Sequence, residues 1–168
     1  MNVYSIRTFP MSYTIVSSDE VAFPVSKSIL QMSGLIASIY DEGENEDKTF
    51  PILGVDSSTM KKVIEFCEHY QVEAMSEIAK PIQTNDFSKL VPEWYNEFTN
   101  IEYTLLFQIV EAANYMDIPP LMNLICAKIA SMIKDKSIEQ IRETFSIEND
   151  LTPEEEEKMK EEYKWCEE

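Results

Sequence analysis

The chain has 168 residues, 44% of them hydrophobic, enough to bury the core of one domain or of a small domain with an appended helical unit. Lys and Arg number 14 against 31 Asp and Glu, for a formal charge of -17. That balance argues against nucleic acid, which needs many cationic contacts, and against an anionic membrane surface; nor is there a run of about 18 apolar residues to span a bilayer.

Residues 1–11 read as a loose extension, with no basic segment leading into an apolar run as a signal peptide requires. Tyr13 to Ser17 is β-branched and aromatic, which predicts a strand. Val21, Phe23 and Val25 alternate and predict a second strand paired with it as a hairpin. Pro24 makes that strand an edge or ends it early. Ser26 can cap a short helix through Ile29 and Leu30, and a second short helix is expected from Leu35 to Ile39. Residues 41–48 form an acidic loop. Thr49 to Leu53 reads as a third strand, with Pro51 again indicating an edge. Asp56, Ser57 and Ser58 are cap candidates for a helix to about Tyr70, whose apolar face carries Met60, Val63, Ile64, Phe66 and Cys67. The order strand, strand, helix, strand, helix describes a small mixed α/β unit.

Residues 71–91 lack steady periodicity and read as a variable linker. Trp94 and Phe98, four apart, share one face of a short helix. The next helix, 101–118, is apolar on two sides. Leu105, Leu106, Ile109, Ala112, Ala113 and Met116 form a core-facing stripe, while Phe107, Val110 and Ile118 fall on the other side beside Asn114. A helix apolar on two sides is covered on two sides, by its own chain or by a partner. Pro119-Pro120 ends it. Leu121, Leu124, Ile125, Ile129, Met132 and Ile133 then repeat at helical spacing. Ser137 with Gln140, and Thr152-Pro153 with Glu155, are capping boxes for two further helices. The last helix has only a narrow apolar stripe, Met159, Tyr163 and Cys166, with Trp165 off it, so it should gain order from a partner.

Catalytic signatures are missing. Glycines stand only at 34, 43 and 54, too few for a phosphate-cradling loop. His69 follows Cys67 by two helical positions, a spacing that makes the side chains diverge and disfavours a zinc pair. The acidic loop superficially resembles a calcium loop, but Glu46 stands where glycine is needed and Ile52 where glutamate is needed. In so acidic a chain, neighbouring carboxylates carry no signal for acid–base catalysis. Cys67, Cys126 and Cys166 are odd in number and far apart, which reads as reduced thiols in a cytoplasmic and nuclear protein.

Several longer motifs carry a resemblance. Leu106-Phe107 with Ala112-Ala113-Asn114-Tyr115-Met116-Asp117-Ile118 is similar to the core of the Skp family, the S-phase kinase-associated adaptors of SCF ubiquitin ligases. The run from Ile141-Arg142 through Thr144-Phe145, Ile147, Asn149-Asp150 and Thr152 to Glu154-Glu155-Glu156, then Trp165-Cys166-Glu167-Glu168, resembles the family's C-terminus. Met60 to Cys67 and Pro92-x-Trp94 match family positions too. The resemblance covers Ser12 to Glu168. It implies an α+β class, with a BTB/POZ fold built on a small three-stranded sheet at 12–118 and a helical F-box-binding extension at 119–168.

The resemblance further implies a non-enzymatic adaptor without cofactor or metal, whose partners are a cullin scaffold and F-box proteins. By matching positions, Asn114 and Tyr115 are cullin contacts, with Leu35, Ile36 and Tyr40 nearby. Phe107, Val110, Met122, Ile129, Phe145, Ile147 and Trp165 are F-box contacts. Apolar anchors within an acidic rim suit such interfaces, and they permit a weak homodimer of the free chain. Pro119-Pro120 replaces a Lys-Gly-like pair, residues 71–91 are more apolar than is usual in the family, and the N-terminal extension is unusual, as in a divergent paralogue. Two rivals remain at this stage. One is a module of the same fold that binds F-box or other helical partners without a cullin; the helical tail after 134 argues against its elongin C-like form. The other is a hydrolase using clustered carboxylates.

Overall fold

The computed structural model describes residues 13–41 and 49–164. The extension 1–11, residues 42–48 of the acidic loop, Trp165 and Cys166 lie outside the described residues. The chain divides into two compact units, Met1–Lys134 and Asp135–Glu168.

In the first unit, β1 (Tyr13–Val16) pairs antiparallel with β2 (Ala22–Val25), setting Ile15 opposite Phe23. The turn between them carries Glu20 at φ 64 and closes with the Ser17 N–H donating to the Val21 carbonyl at 3.0 Å. β3 (Thr49–Pro51) joins the other side of β1 in parallel, Phe50 opposite Ile15. The order β2-β1-β3 leaves both proline-bearing strands at edges, where a missing amide costs no ladder bond. Ile15, Val25 and Phe50 face the core.

Ser26 caps α1 (Lys27–Leu30) by accepting from the Ile29 N–H, and α2 (Gly34–Asp41) follows. Asp56 caps α3 (Ser57–Val72), accepting from the Thr59 N–H at 2.9 Å, and Met60, Val63, Phe66 and Cys67 are its buried side. In α4 (Glu93–Phe98) the Trp94 and Phe98 rings stack at 5.1 Å, as their spacing predicts. α5 (Tyr103–Tyr115) packs against both α3 and α6 (Pro119–Ile133). It is the helix around which this unit is built.

Two sequence expectations need correction here. Residues 73–91 are irregular apart from one 3-10 turn, Phe87–Lys89, and mostly exposed, but the stretch is anchored in the core as well as linking its neighbours. Ile78, Phe87 and Val91 are buried, and the Tyr95 hydroxyl donates to the Glu73 carbonyl. Isolated apolar anchors pin an aperiodic segment without giving it a repeat that sequence reading can detect. The α5 helix is also shorter than 101–118. It ends at Tyr115, Met116 caps it, and Asp117 takes φ 52. That left-handed residue breaks the helical wheel, so Ile118 turns into the core at 1% exposure instead of joining Phe107. Pro119-Pro120 starts α6, where the first turn has no use for the missing amides.

In the second unit, α7 (Ile138–Phe145) and α8 (Pro153–Glu162) each open on the capping box expected from sequence. Ser146 ends α7 in the left-handed region at φ 52. The Ile147 N–H donates to the Arg142 carbonyl at 2.8 Å and the Ser146 N–H to the Glu143 carbonyl at 3.4 Å, a Schellman closure. Glu156 on α8 accepts from Arg142 at 3.4 Å and from the Asn149 amide at 2.8 Å. No helix among the described residues is long and apolar enough to cross a membrane.

Candidate protein-docking surfaces

The first surface lies where α2 begins and α5 ends. The Ser33 hydroxyl donates to the Met116 carbonyl at 2.5 Å, the Gly34 N–H to the Asp117 carbonyl at 2.9 Å, and the Leu35 N–H to the Met116 carbonyl at 3.3 Å. The approach is so close that a Cβ on Gly34 would fall 2.0 Å from Asp117 Oδ2. This latch brings Leu35, which is half-buried, to the end of α5 that carries Asn114 and Tyr115. Asn114 is exposed and Tyr115 is 48% exposed. Tyr40 is half-buried, its hydroxyl 3.4 Å from that of Tyr13, with the Lys27 ammonium 5.2 Å from its ring centre.

Ile36 does not join this surface. It is 0% exposed, because its position on α2 faces the core. Ile39, within the stretch between Leu35 and Tyr40, is an exposed apolar residue, and so is Leu53, which was not among the expected contacts. The strand expected to reach Leu53 stops at Pro51. A strand boundary two residues shorter than expected leaves its side chain in solvent.

The second set of surfaces is on the helices. On α5, Phe107 is 40% exposed and Val110 half-buried. On α6, Met122 and Ile129 are half-buried, and Ile133, one turn on from Ile129, is exposed. In the C-terminal unit no residue of α7 is buried. Ile138 at its first position is 62% exposed, Phe145 is half-buried, and Ile147 beyond its end is 54% exposed. Trp165 lies outside the described residues. The expected F-box set is thus divided between the two units.

The groups that titrate here serve structure. Thr152 holds the Glu155 carboxyl below its usual range, first through its N–H and then through its hydroxyl. Burial lowers the Lys128 ammonium, which sits 5.0 Å from the Phe87 ring centre. His69 stacks on Trp94 with ring centres 3.6 Å apart. Burial, with Glu68 adding to it, pushes the Cys67 thiol up to about 12, far from a reactive thiolate. Among the described residues no three His, Cys, Asp or Glu converge as a metal site. What the arrangement offers is exposed apolar and aromatic area on helices.

The fold and these surfaces define an α+β docking module, a POZ-type sheet-and-helix unit with a helical C-terminal part. Residues 11–72 match the family model described as the Skp1 family, tetramerisation domain, and residues 119–166 match the Skp1 family, dimerisation domain. The chain is 37% identical over 155 residues to the E3 ubiquitin ligase complex SCF subunit sconC of Arthroderma benhamiae, covering 92% of this chain and 94% of that protein. It is 39% identical over 155 residues to the S-phase kinase-associated protein 1 homolog of Tetrahymena thermophila, covering 92% and 93%. Against sconC of Talaromyces marneffei the identity is 37% over 154 residues, covering 92% and 96%. The chain belongs to the Skp1 family, as its α5 and C-terminal motifs indicate.

Proposed function

We propose that this chain is a non-enzymatic adaptor subunit of an SCF-type ubiquitin ligase, bridging the N-terminal region of a cullin and the F-box motif of substrate receptors. It makes and breaks no bonds. Its contribution is effective concentration, holding a substrate near a ubiquitin-charged enzyme. Asn114 and Tyr115, with Leu35 and Tyr40 beside them, meet the cullin. Phe107, Val110, Met122, Ile129, Phe145, Ile147 and Trp165 meet the F-box.

Besides membership of the family, one observation carries this reading. α7 and its end present Ile138 and Ile147 at 62% and 54% exposure, and α7 buries no residue of its own. A helix of that character is ordered for a partner. The same uncovered area supports weak self-association of the free chain, and the three separated cysteines support a cytoplasmic and nuclear setting.

Titration calorimetry against several F-box domains, with co-purification of a cullin N-terminal region, tests the proposal. Wild type binds both partners. Asn114→Lys with Tyr115→Ala abolishes cullin co-purification and leaves F-box affinity unchanged. Failure of wild type to bind any of several F-box domains overturns the F-box role; cullin capture unaffected by the double variant overturns the assigned surface.

A further inference from the structure

Gly54 lies in a short connection fixed at both ends. Ile52 and Val55 are buried at 1% and 2% exposure. The Ile52 N–H donates to the Val16 carbonyl at 2.7 Å and the Ser18 N–H to the Val55 carbonyl at 2.9 Å. No glycine among the described residues has positive φ, so the backbone does not require glycine at position 54. An alanine there would also reduce the freedom of the unfolded chain, which favours the fold.

What a side chain at this position would meet is Tyr115. A Cβ on Gly54 would sit 3.2 Å from Cε1 and from Cζ of that ring, and 3.4 Å from Cδ1. The turn is pinned, whereas the ring is 48% exposed. An added methyl group therefore shifts the ring by a few tenths of an ångström and leaves the turn in place.

We propose that Gly54 is a positioning residue for cullin binding, its missing side chain allowing the Tyr115 ring to lie against the turn in the pose the cullin meets. This assignment rests on the adaptor reading. It separates two properties that usually move together, because the substitution that disturbs the contact is neutral or favourable for the fold.

The test uses the intact chain with Gly54→Ala, Gly54→Val and Tyr115→Ala, and the Gly54→Ala/Tyr115→Ala double variant. Affinity for a recombinant cullin N-terminal region, affinity for an F-box domain and the thermal midpoint are measured for each. Gly54→Ala is expected to weaken cullin binding about threefold and Gly54→Val about tenfold, with F-box affinity unchanged. The thermal midpoint of Gly54→Ala should equal or exceed that of wild type. In the Tyr115→Ala background Gly54→Ala should have no further effect on cullin affinity. Wild-type cullin affinity in Gly54→Ala, or an undiminished loss in the Tyr115→Ala background, overturns the assignment while the adaptor reading stands. Absence of cullin binding by wild type overturns that reading and this assignment with it.

Discussion

Ile147→Ala separates what a side chain gives to its own fold from what it reserves for a partner. The substitution deletes three carbons, each worth about 0.8 kcal/mol when moved from water into an apolar environment, so about 2.4 kcal/mol in total. Ile147 is 54% exposed in the chain. Somewhat more than half of that total, about 1.3 kcal/mol, is therefore gained only when an F-box covers it, and about 1.1 kcal/mol is already realised in folding. The expected result is a roughly ninefold loss of F-box affinity by calorimetry. The local stability of α7, read from hydrogen exchange of its amides, falls by no more than about 1.1 kcal/mol. An affinity within twofold of wild type, combined with a stability loss near the full 2.4 kcal/mol, would show that the side chain serves the fold and would refute the reasoning.

Other expected outcomes concern the scaffold. Gly34→Ala places a Cβ 2.0 Å from Asp117 Oδ2 and 2.8 Å from its Cγ, so it should cost about 1–3 kcal/mol of stability. Asp117→Gly should restore most of that in the double variant, since it removes the obstructing side chain and suits φ 52; urea midpoints check both. Ser146→Gly relieves a left-handed serine at φ 52 and should stabilise the C-terminal unit by about 0.5–1 kcal/mol, seen as slower exchange of the α7 amides. In acid, two effects oppose each other. Asp19 is lowered by Ser17 and then Ser57, Asp56 by Ser58 and then the Thr59 N–H, and Glu155 by Thr152. Their folded values lie below the unfolded ones, so their stabilisation is complete above about pH 4–5 and is lost as pH falls through the lowered values. Relief of the -17 charge stabilises the chain as pH drops from 7 toward the pI of 4.4. The thermal midpoint should therefore rise and then fall on acidification, with Asp56→Asn flattening the acid limb. A midpoint still rising at pH 3 would contradict this.

The helices and strands were readable because their signals are local. Ser26, Asp56, Ser137 and Thr152 each cap the helix they precede, and Pro24 and Pro51 mark the two edge strands. Asn114 and Tyr115 were named through the family resemblance, and the structure leaves both exposed at the end of α5. Ile36 and Ile118 were misplaced for the opposite reason. One lies on a helix whose core side depends on the latch to Asp117, and the other follows a left-handed residue that no periodicity announces.

The sequence alone determined the element order, the caps and the apolar excess of α5, because each is written in residue type and spacing along one segment, and it showed the family through several motifs spread along the chain. Tertiary structure alone decided that Ile78, Phe87 and Val91 anchor an aperiodic stretch, that Leu53 is left in solvent, and that Gly54 faces Tyr115. Two of those outcomes depend on segments distant in the chain meeting, as Phe87 meets Lys128 and Gly54 meets Tyr115, in a close-packed interior where a single methyl group decides which side chain must move.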